Sequence, residues 1–376
     1  MKKVASLILS FTICISLCIP ASADEGKAAS MSTNEAIISE FLSNTNSDNF
    51  GGIFYDDDKN LVCCVKEGSD FSTLASPMTT EANVIFRTVK YSLSELESYK
   101  DLLTPYMKEY GIIYLDADET TNKVKIKTTK ITEELKAHVS SIVDLADCEL
   151  VEVSESAKFT STLKMVDSDY IEDIAPSAES RASTIIYPGT KILIGSSSSY
   201  AVCSAGPRIS SSKFYTCGHF KTECLSSTQN VYLNSTTLSA NLIGKTGSVV
   251  FGSSGDYSTV TLSGNATLPS SNKTVTGKTY TYGSVYVGDA VEMHGTMSGI
   301  SYGEVTATNI NAEFEDGTIV KNMYEADYTC KSGDSGGGVF TTTSNSSCIC
   351  PGVQSGGGDE KNGIYYTSVF SMVPQY

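Results

Sequence analysis

The sequence predicts an all-β second half, of sandwich or barrel type, behind an acidic first half of mixed α and β structure. Three observations carry this. Short alternating runs such as Val231-Tyr232-Leu233, Val249-Val250-Phe251, Val260-Thr261-Leu262, Val285-Tyr286-Val287 and Tyr365-Tyr366 recur in the second half between Gly and Asn. That is the pattern of many short strands joined by turns, and no long segment there carries helical periodicity. The first half instead mixes hairpin-like runs with apolar residues at helical spacing. Charge is also unequally divided: of 27 Lys+Arg and 43 Asp+Glu in 376 residues, only 10 and 13 follow Ala182. With 40% hydrophobic and 19% charged residues the chain has a globular composition. Its net charge of −16 makes nucleic acid and anionic membrane poor partners. Two halves with different electrostatics suggest two different jobs.

The chain begins with a leader. Lys2 and Lys3 precede an apolar run from Val4 to Ile19, then Pro20 and Ala21-Ser22-Ala23. A basic start, a short greasy core and small residues at a cleavage site are the signature of a secretory signal peptide, here residues 1–23. The run is shorter than the ~20 residues a spanning helix needs. Leu17 is too bulky for a lipoprotein reading of Cys18. Export exposes the remaining cysteines to oxidation. Cys63, Cys64 and Cys148 lie in the acidic half, and Cys203, Cys217, Cys224, Cys330, Cys348 and Cys350 in the second, where six point to disulfides. No pair has zinc-site spacing, so neither a metal nor another cofactor is expected.

Residues 24–153 contain a repeat, Phe50-Gly51-Gly52-Ile53-Phe54-Tyr55-Asp56 against Tyr110-Gly111-Ile112-Ile113-Tyr114-Leu115-Asp116. Each copy precedes a polar turn and an alternating run, so two hairpins are expected. Val84 to Val89 suits a strand between them. Ser94 with Glu97 makes a capping box for a helix running toward Tyr110, bent at Pro105. Ile131, Leu135, Val139 and Ile142 share one face of a second helix. His138 beside that face reads as a structural or exposed histidine. Residues 154–183 are poor in apolar side chains and read as a linker, with Pro176 to Ser183 the most exposed stretch. Residues 184–376 form the all-β half.

Gly333-Asp334-Ser335-Gly336-Gly337-Gly338 is the sharpest chemical signal. A serine flanked by glycines can sit on a tight turn with its hydroxyl exposed and bare N–H groups beside it, as a developing oxyanion requires. A plain Gly-rich turn would read the same way, so partners must decide. Serine needs a base. His219, in Tyr215-Thr216-Cys217-Gly218-His219, ends an apolar run inside a cysteine cluster, whereas His294, in Glu292-Met293-His294-Gly295, has no such setting. Asp256 opens the alternating strand Tyr257 to Leu262 and could orient the imidazole; Asp289, Asp316 and Asp327 compete. The order His219, Asp256, Ser335 is one in which such a triad occurs.

With these residues in place, the second half resembles the secreted bacterial chymotrypsin-fold serine proteases, of the α-lytic protease and streptogrisin type. Thr216-Cys217-Gly218-His219 is similar to the family's Thr-Ala-Gly-His, and Gly333 to Gly337 to its Gly-Asp-Ser-Gly-Gly. Val353-Gln354-Ser355-Gly356-Gly357 resembles the strand that pairs with substrate. The stretches Val287 to Val291 and Gly303 to Ala307 are similar too. The resemblance implies two six-stranded antiparallel Greek-key barrels, about residues 184–270 and 271–376, with the site between them. It implies catalysis by His219, Asp256 and Ser335, and an oxyanion hole from the Gly333 and Ser335 N–H groups. Substrate would bind along Ser355, Gly356 and Gly357, with Gln354 bordering the specificity pocket. The acidic half resembles the pro-regions of this family, which assist folding and then inhibit until cut away. The reading is a secreted, monomeric zymogen acting on polypeptides, with maturation near Ser180 to Ser183.

Departures from the family pattern matter. Phe220 stands where a cysteine usually follows the histidine, so Cys224 or Cys217 must replace it as partner of Cys203. Three cysteines per barrel then require one bridge between barrels or two free thiols. Met293 stands where relatives carry an arginine that pairs with the aspartate before the serine, so His294 is expected to serve Asp334. No acidic residue suits the pocket base, which disfavours Lys or Arg substrates; Lys331 and Gln354 leave Glu or Gln open. An α/β-hydrolase esterase fails for want of parallel-sheet periodicity. A catalytically impaired protease-like binding module remains the alternative, because Cys217 beside His219 is unusual.

Overall fold

The computed structural model describes residues 33–69, 83–161, 163–167, 184–196, 199–224, 228–233, 241–263, 266–342 and 346–374, the side chains of 33, 167, 196, 223 and 224 excepted. Residues 1–23, expected to be a signal peptide, and Ser180 to Ser183, the expected maturation region, lie outside the described residues. Among the described residues no helix is long and apolar enough to cross a membrane.

The acidic half repeats one plan twice. A helix, Thr33–Asn44, precedes the antiparallel hairpin Phe50–Tyr55 with Leu61–Lys66, and Val84–Val89 adds in parallel. Then a helix, Leu93–Leu103, precedes the hairpin Ile112–Asp118 with Lys123–Thr128, and Cys148–Glu152 adds in parallel after the helix Glu133–Ser140. Each helix covers one sheet face. Leu96, Leu103, Leu135 and Val139 are fully buried against Leu115, Val124 and Ile126. Burying each such side chain stabilises by about 1.5–3 kcal/mol. The helix at Leu93 is capped by Ser92 with Glu95, not by Ser94 with Glu97: the Ser92 hydroxyl accepts from the Glu95 N–H and the Glu95 carboxylate accepts from the Ser92 N–H. Both pairs have the capping spacing, and the one nearer the preceding strand is used. Pro105 opens a single 3₁₀ turn, Thr104–Tyr106, where its missing N–H costs no hydrogen bond. His138 packs between the Tyr106 and Tyr110 rings.

Among the described residues, the second half is built of β-strands and turns apart from the short helix Phe220–Cys224. Its first sheet runs, in pairing order, Arg208–Ser210, Lys213–Thr216, Gly255–Leu262, Leu242–Gly252, Asn230–Tyr232, Lys191–Ser196, Ser199–Ser204. Beyond Ser199–Ser204 the sheet continues into Lys164–Asp167, which makes eight strands among the described residues. Ile192, Ile194, Phe214, Phe220, Val231 and Val260 fill its interior. The second sheet orders Ala290–Gly295, Gly338–Thr341, Gly352–Lys361, Ile364–Met372, Ile319–Ala326, Gly299–Glu313, and the last pairs back to the first. This closes a six-stranded barrel, although the long strands Gly299–Glu313 and Gly352–Lys361 run past its closed part and keep an edge open there. Val285-Tyr286-Val287 is not a strand of either barrel. Val285 is buried in the second barrel's core, while Tyr286 and Val287 pack on the acidic half, where the Val287 carbonyl accepts from the Tyr55 N–H at 2.8 Å.

The two halves share a sheet. Leu115 and Tyr114 pair antiparallel with Asn311 and Ala312, so the acidic half's second sheet continues the barrel strand Gly299–Glu313. Ile113, Tyr114, Ile310, Phe314, Val320 and Met323 form one apolar cluster across the junction. Polar groups are buried there too. Lys100 donates to the Asn309 carbonyl, Thr308 to Glu119, Asn309 to Glu97 and Asn311 to Thr104. Burial raises the Glu119 carboxyl from 4.5 to about 7, although hydrogen bonds from its own backbone and Thr308 oppose the rise. Burial and the neighbouring Glu119 and Asp118 carboxylates hold Asp116 well above its usual range. A carboxyl protonated more readily when the halves are joined binds extra protons between its free and joined pKa values. Joining is therefore strongest below about 4.5 and weakens as pH rises through about 7. On the Glu119 carboxyl alone, the separated acidic segment should accordingly bind the second half about 70-fold more weakly at pH 8 than at pH 5. Glu119→Gln should flatten that dependence, as measured by titration calorimetry across pH.

Residues 154–167 depart most from expectation. They are not a free linker. Thr160 and Ser161 pair antiparallel with Gly357 and Gly356 of the second barrel. Lys164, Met165 and Val166 pair with Val202, Ala201 and Tyr200 of the first. Their side chains are polar or half exposed, and it is backbone hydrogen bonding that orders them.

Candidate active site

Each candidate catalytic side chain stands at the end of an element that fixes it. His219 follows the strand Lys213–Thr216 and begins the turn into the helix Phe220–Cys224. Gly218 before it has no room for a side chain: a Cβ there would lie 1.9 Å from the Val250 carbonyl oxygen. Asp256 stands at the start of Gly255–Leu262, where its N–H donates to the Ser371 hydroxyl at 2.9 Å. Ser335 lies on a turn in which Gly333 and Gly336 adopt φ of 107° and 86°, a region that favours glycine. A Cβ on Gly336 would lie 2.2 Å from the Thr216 hydroxyl.

The three groups meet between the barrels, all fully buried. His219 Nδ1 is 2.6 Å from Asp256 Oδ2, and His219 Nε2 is 3.0 Å from Ser335 Oγ. Asp256 Oδ1 accepts from the Gly218 and His219 N–H groups at 2.7 and 2.8 Å. Both carboxylate oxygens are thus used, and the carboxylate cannot swing away from the ring. Burial disfavours a charged imidazole, but the Asp256 carboxylate outweighs it and holds His219 well above its ordinary pKa. Such a line of groups can move a proton from a hydroxyl to an imidazole and leave the resulting cation paired. Asp289, one of the competitors for the acid role, accepts instead from the Tyr286 N–H at 2.8 Å. Among the described residues no group of three or more metal-ligating side chains comes together.

Asp334 has a different partner from the one the sequence suggested. Its Oδ1 accepts from the Met297 and Ser298 N–H groups at 2.8 and 3.0 Å, and Oδ2 from Lys331 N–H at 2.8 Å. His294 bonds Glu292 at 3.1 Å and packs on Phe340. Three backbone donors do the work of an arginine, and Gly295 permits the approach, since a Cβ there would lie 2.3 Å from Asp334 Oδ1. Gln354 is fully buried with both ends of its amide engaged. The Tyr328 hydroxyl donates to Oε1 at 2.5 Å, while Nε2 donates to the Gly356 carbonyl at 2.8 Å. It therefore braces the Ser355-Gly356-Gly357 strand against the segment leading to Ser335. Glycine at 356 allows a chain to lie close, because a Cβ would meet the Thr160 carbonyl oxygen at 2.7 Å.

Sequence reasoning did not single out Ser204 or Ser371. Ser204 N–H donates to the Ser335 carbonyl at 2.8 Å and its hydroxyl to the Gly333 carbonyl at 3.1 Å, tying the serine turn to the first barrel. Nothing in a Ser-rich sequence marks these serines out. The eight described cysteines are thiols. Cys203 and Cys217 are buried with their sulfurs 3.8 Å apart, and burial first, then Cys203, raises the Cys217 thiol well above its ordinary pKa. The Cys224 side chain lies outside the described residues.

Comparison with known proteins points to one kind of protein. Serine protease 2 of Streptomyces fradiae is 34% identical over 58 residues, 15% of this chain and 33% of that protein, so the match spans about a third of the relative's length. Among solved structures, Cellulomonas bogoriensis chymotrypsin is 24% identical, covering 50% of this chain and 91% of its own, with a TM-score of 0.38. A glutamic-acid-specific serine protease is 22% identical, covering 50% and 93%, at 0.40. Thermobifida fusca protease A is 22% identical, covering 50% and 92%, at 0.37. The chain resembles bacterial chymotrypsin-fold serine proteases. No family model matches it.

Proposed function

We propose that this chain is a secreted serine endopeptidase made as a zymogen, with residues 24–153 as its folding and inhibitory pro-region. The observation that carries the reading is the buried line from Asp256 through His219 to Ser335, at 2.6 and 3.0 Å. Ser335 would attack the peptide carbonyl while His219 takes its proton. Asp256 would hold the proton of Nδ1 and stabilise the imidazolium, and the Gly333 and Ser335 N–H groups would receive the oxyanion. Collapse of the intermediate would pass the proton from His219 to the leaving amine. Water activated by the same histidine would then release the acyl group. Substrate would lie along Ser355, Gly356 and Gly357. The shared sheet at Tyr114 and Leu115 supports a pro-region that templates the second barrel and stays bound to it. Cys203 and Cys217 are the cysteines whose placement favours a bridge after export.

The test is covalent labelling. A fluorophosphonate probe added to protein freed of its acidic segment should label the wild type stoichiometrically and leave Ser335→Ala unlabelled. Equal labelling of both would overturn the reading, and absence of labelling in both would favour the binding module on a protease-like scaffold.

A further inference from the structure

The serine turn is fastened on its two sides to different parts of the fold. After Ser335 it is tied to the strand Gly352–Lys361: Gly336 N–H donates to the Gln354 carbonyl and Gln354 N–H to the Gly337 carbonyl, both at 2.8 Å. Before Ser335 it is held by the first barrel and by the tight turn, residues 296–298, that joins Ala290–Gly295 to Gly299–Glu313. Ser204 is the link between them. Its hydroxyl donates to the Gly333 carbonyl at 3.1 Å and accepts from the Thr296 N–H at 2.9 Å. Met297 N–H, bonded to Asp334, fixes the backbone of the same turn. The Met297 side chain then lies on Gly333, where a Cβ would be 2.7 Å from its Cγ and 3.5 Å from its sulfur. Val202 Cγ1 covers the same glycine at 3.4 Å. Val202 is buried, whereas Met297 is 37% exposed. A methionine that only filled a gap would be covered, as Met293 is on the strand before it.

We infer that Met297 sets the enzyme's preference for the first residue of the leaving half of the substrate, and that it selects an apolar side chain there. This rests on the peptidase reading above, in which the acyl half lies along Ser355, Gly356 and Gly357. That strand borders the side of Ser335 to which Gly336 is tied. A chain that continues past Ser335 leaves the strand and runs over the opposite side of the turn, which Gly333, Val202 and Met297 form. The residue it lays there meets a thioether and a valine methyl, so an apolar side chain gains by leaving water and a charged one loses its hydration. Methionine is unbranched and adaptable, so the selection is for apolarity rather than for one shape. Gly333 also carries one of the N–H groups that would receive the oxyanion. The contact is therefore made beside the reacting bond, and it bears on the rate of cutting as well as on binding.

The experiment uses active protein obtained from the full chain, its active sites counted by fluorophosphonate labelling. Wild type, Met297→Ala, Met297→Leu and Met297→Glu each digest the same peptide library of broad composition, and mass spectrometry reads the residues on both sides of every cut. Wild type should favour Leu, Ile, Val, Met and Phe over Ser, Asp and Glu directly after the cut. Met297→Ala should weaken that preference about tenfold. Met297→Leu, similar in volume and apolarity, should keep it. Met297→Glu should turn it toward Lys and Arg, whose charge its carboxylate can pair. Preferences before the cut should be the same in every variant, because that side lies on the strand Gly352–Lys361. A merely structural role, in which substitution loosens the serine turn, would disturb both sides together. Each preference is a ratio within one digest, so a change in overall rate drops out. The same residues after the cut in wild type, Met297→Ala and Met297→Glu, or equal changes on both sides of it, overturn this inference and leave the peptidase reading standing. Wild type that takes no label and cuts nothing overturns the peptidase reading itself.

Discussion

Ser335→Ala is expected to lower peptide hydrolysis by about 10⁶-fold, measured as kcat on a peptide substrate with enzyme freed of its acidic segment. The size follows from what Ser335 touches. Its hydroxyl is the group within 3.0 Å of His219 Nε2, so its removal ends both the attack and the proton transfer that accompanies it. Little else should change. The turn is held by backbone bonds, from Ser204 to the Ser335 carbonyl and from Gly336 to Gln354, and alanine retains them. Thermal stability and the far-ultraviolet spectrum should therefore match the wild type. His219→Ala should cost a similar factor, and the double variant no more than either alone, because the two groups act as one unit. A loss of tenfold or less in Ser335→Ala would place the chemistry elsewhere.

Much of the fold was legible because periodicity reports which faces are buried. Leu96, Leu135 and Val139 mark helix faces, and the two aromatic-glycine copies mark hairpins, since these depend on side chains meeting a local core. The failures share a cause. Thr160, Ser161 and Lys164 to Asp167 read as linker because the stretch around them is rich in Ser, Asp and Glu, yet they pair through the backbone with Gly356, Gly357 and the strand Ser199–Ser204, to which side-chain composition is blind. Val285-Tyr286-Val287 shows the converse. Its apolar alternation is real, but it divides its burial: Val285 enters the second barrel's core with Val291, Met293 and Phe370, while Tyr286 and Val287 pack on the other half without joining a barrel ladder.

The site divides in the same way. His219 and Ser335 were legible because glycine must stand beside them: Gly218 against the Val250 carbonyl, and Gly336 against Thr216. Asp256 could be selected only among competitors, since an acid at a strand start looks like any other. The support for Asp334 was misread because backbone N–H groups of Met297, Ser298 and Lys331 supply it, and such donors have no residue signature. Side-chain chemistry is visible in a sequence, whereas chemistry done by the backbone becomes visible only with its geometry.

Asp256→Asn separates orientation from charge, and should lower kcat by about 10⁴-fold with the fold intact. One oxygen of Asp256 accepts from the Gly218 and His219 N–H groups, a place only an oxygen can fill. An asparagine must therefore keep its carbonyl there and turn its NH₂ toward His219 Nδ1, now 2.6 Å from the second carboxylate oxygen. Facing a donor, Nδ1 must become the acceptor, and the ring's proton moves to Nε2, where it blocks uptake of the Ser335 proton. The same change removes the charge that outweighs burial and holds the imidazolium. In the wild type, activity should rise with pH on the alkaline side of the ordinary histidine value of about 6.5, as His219 loses its proton. In Asp256→Asn the residual activity should rise at lower pH, because burial alone then acts on the ring. A variant that lost activity while keeping the wild-type pH limb would show that another group orients His219.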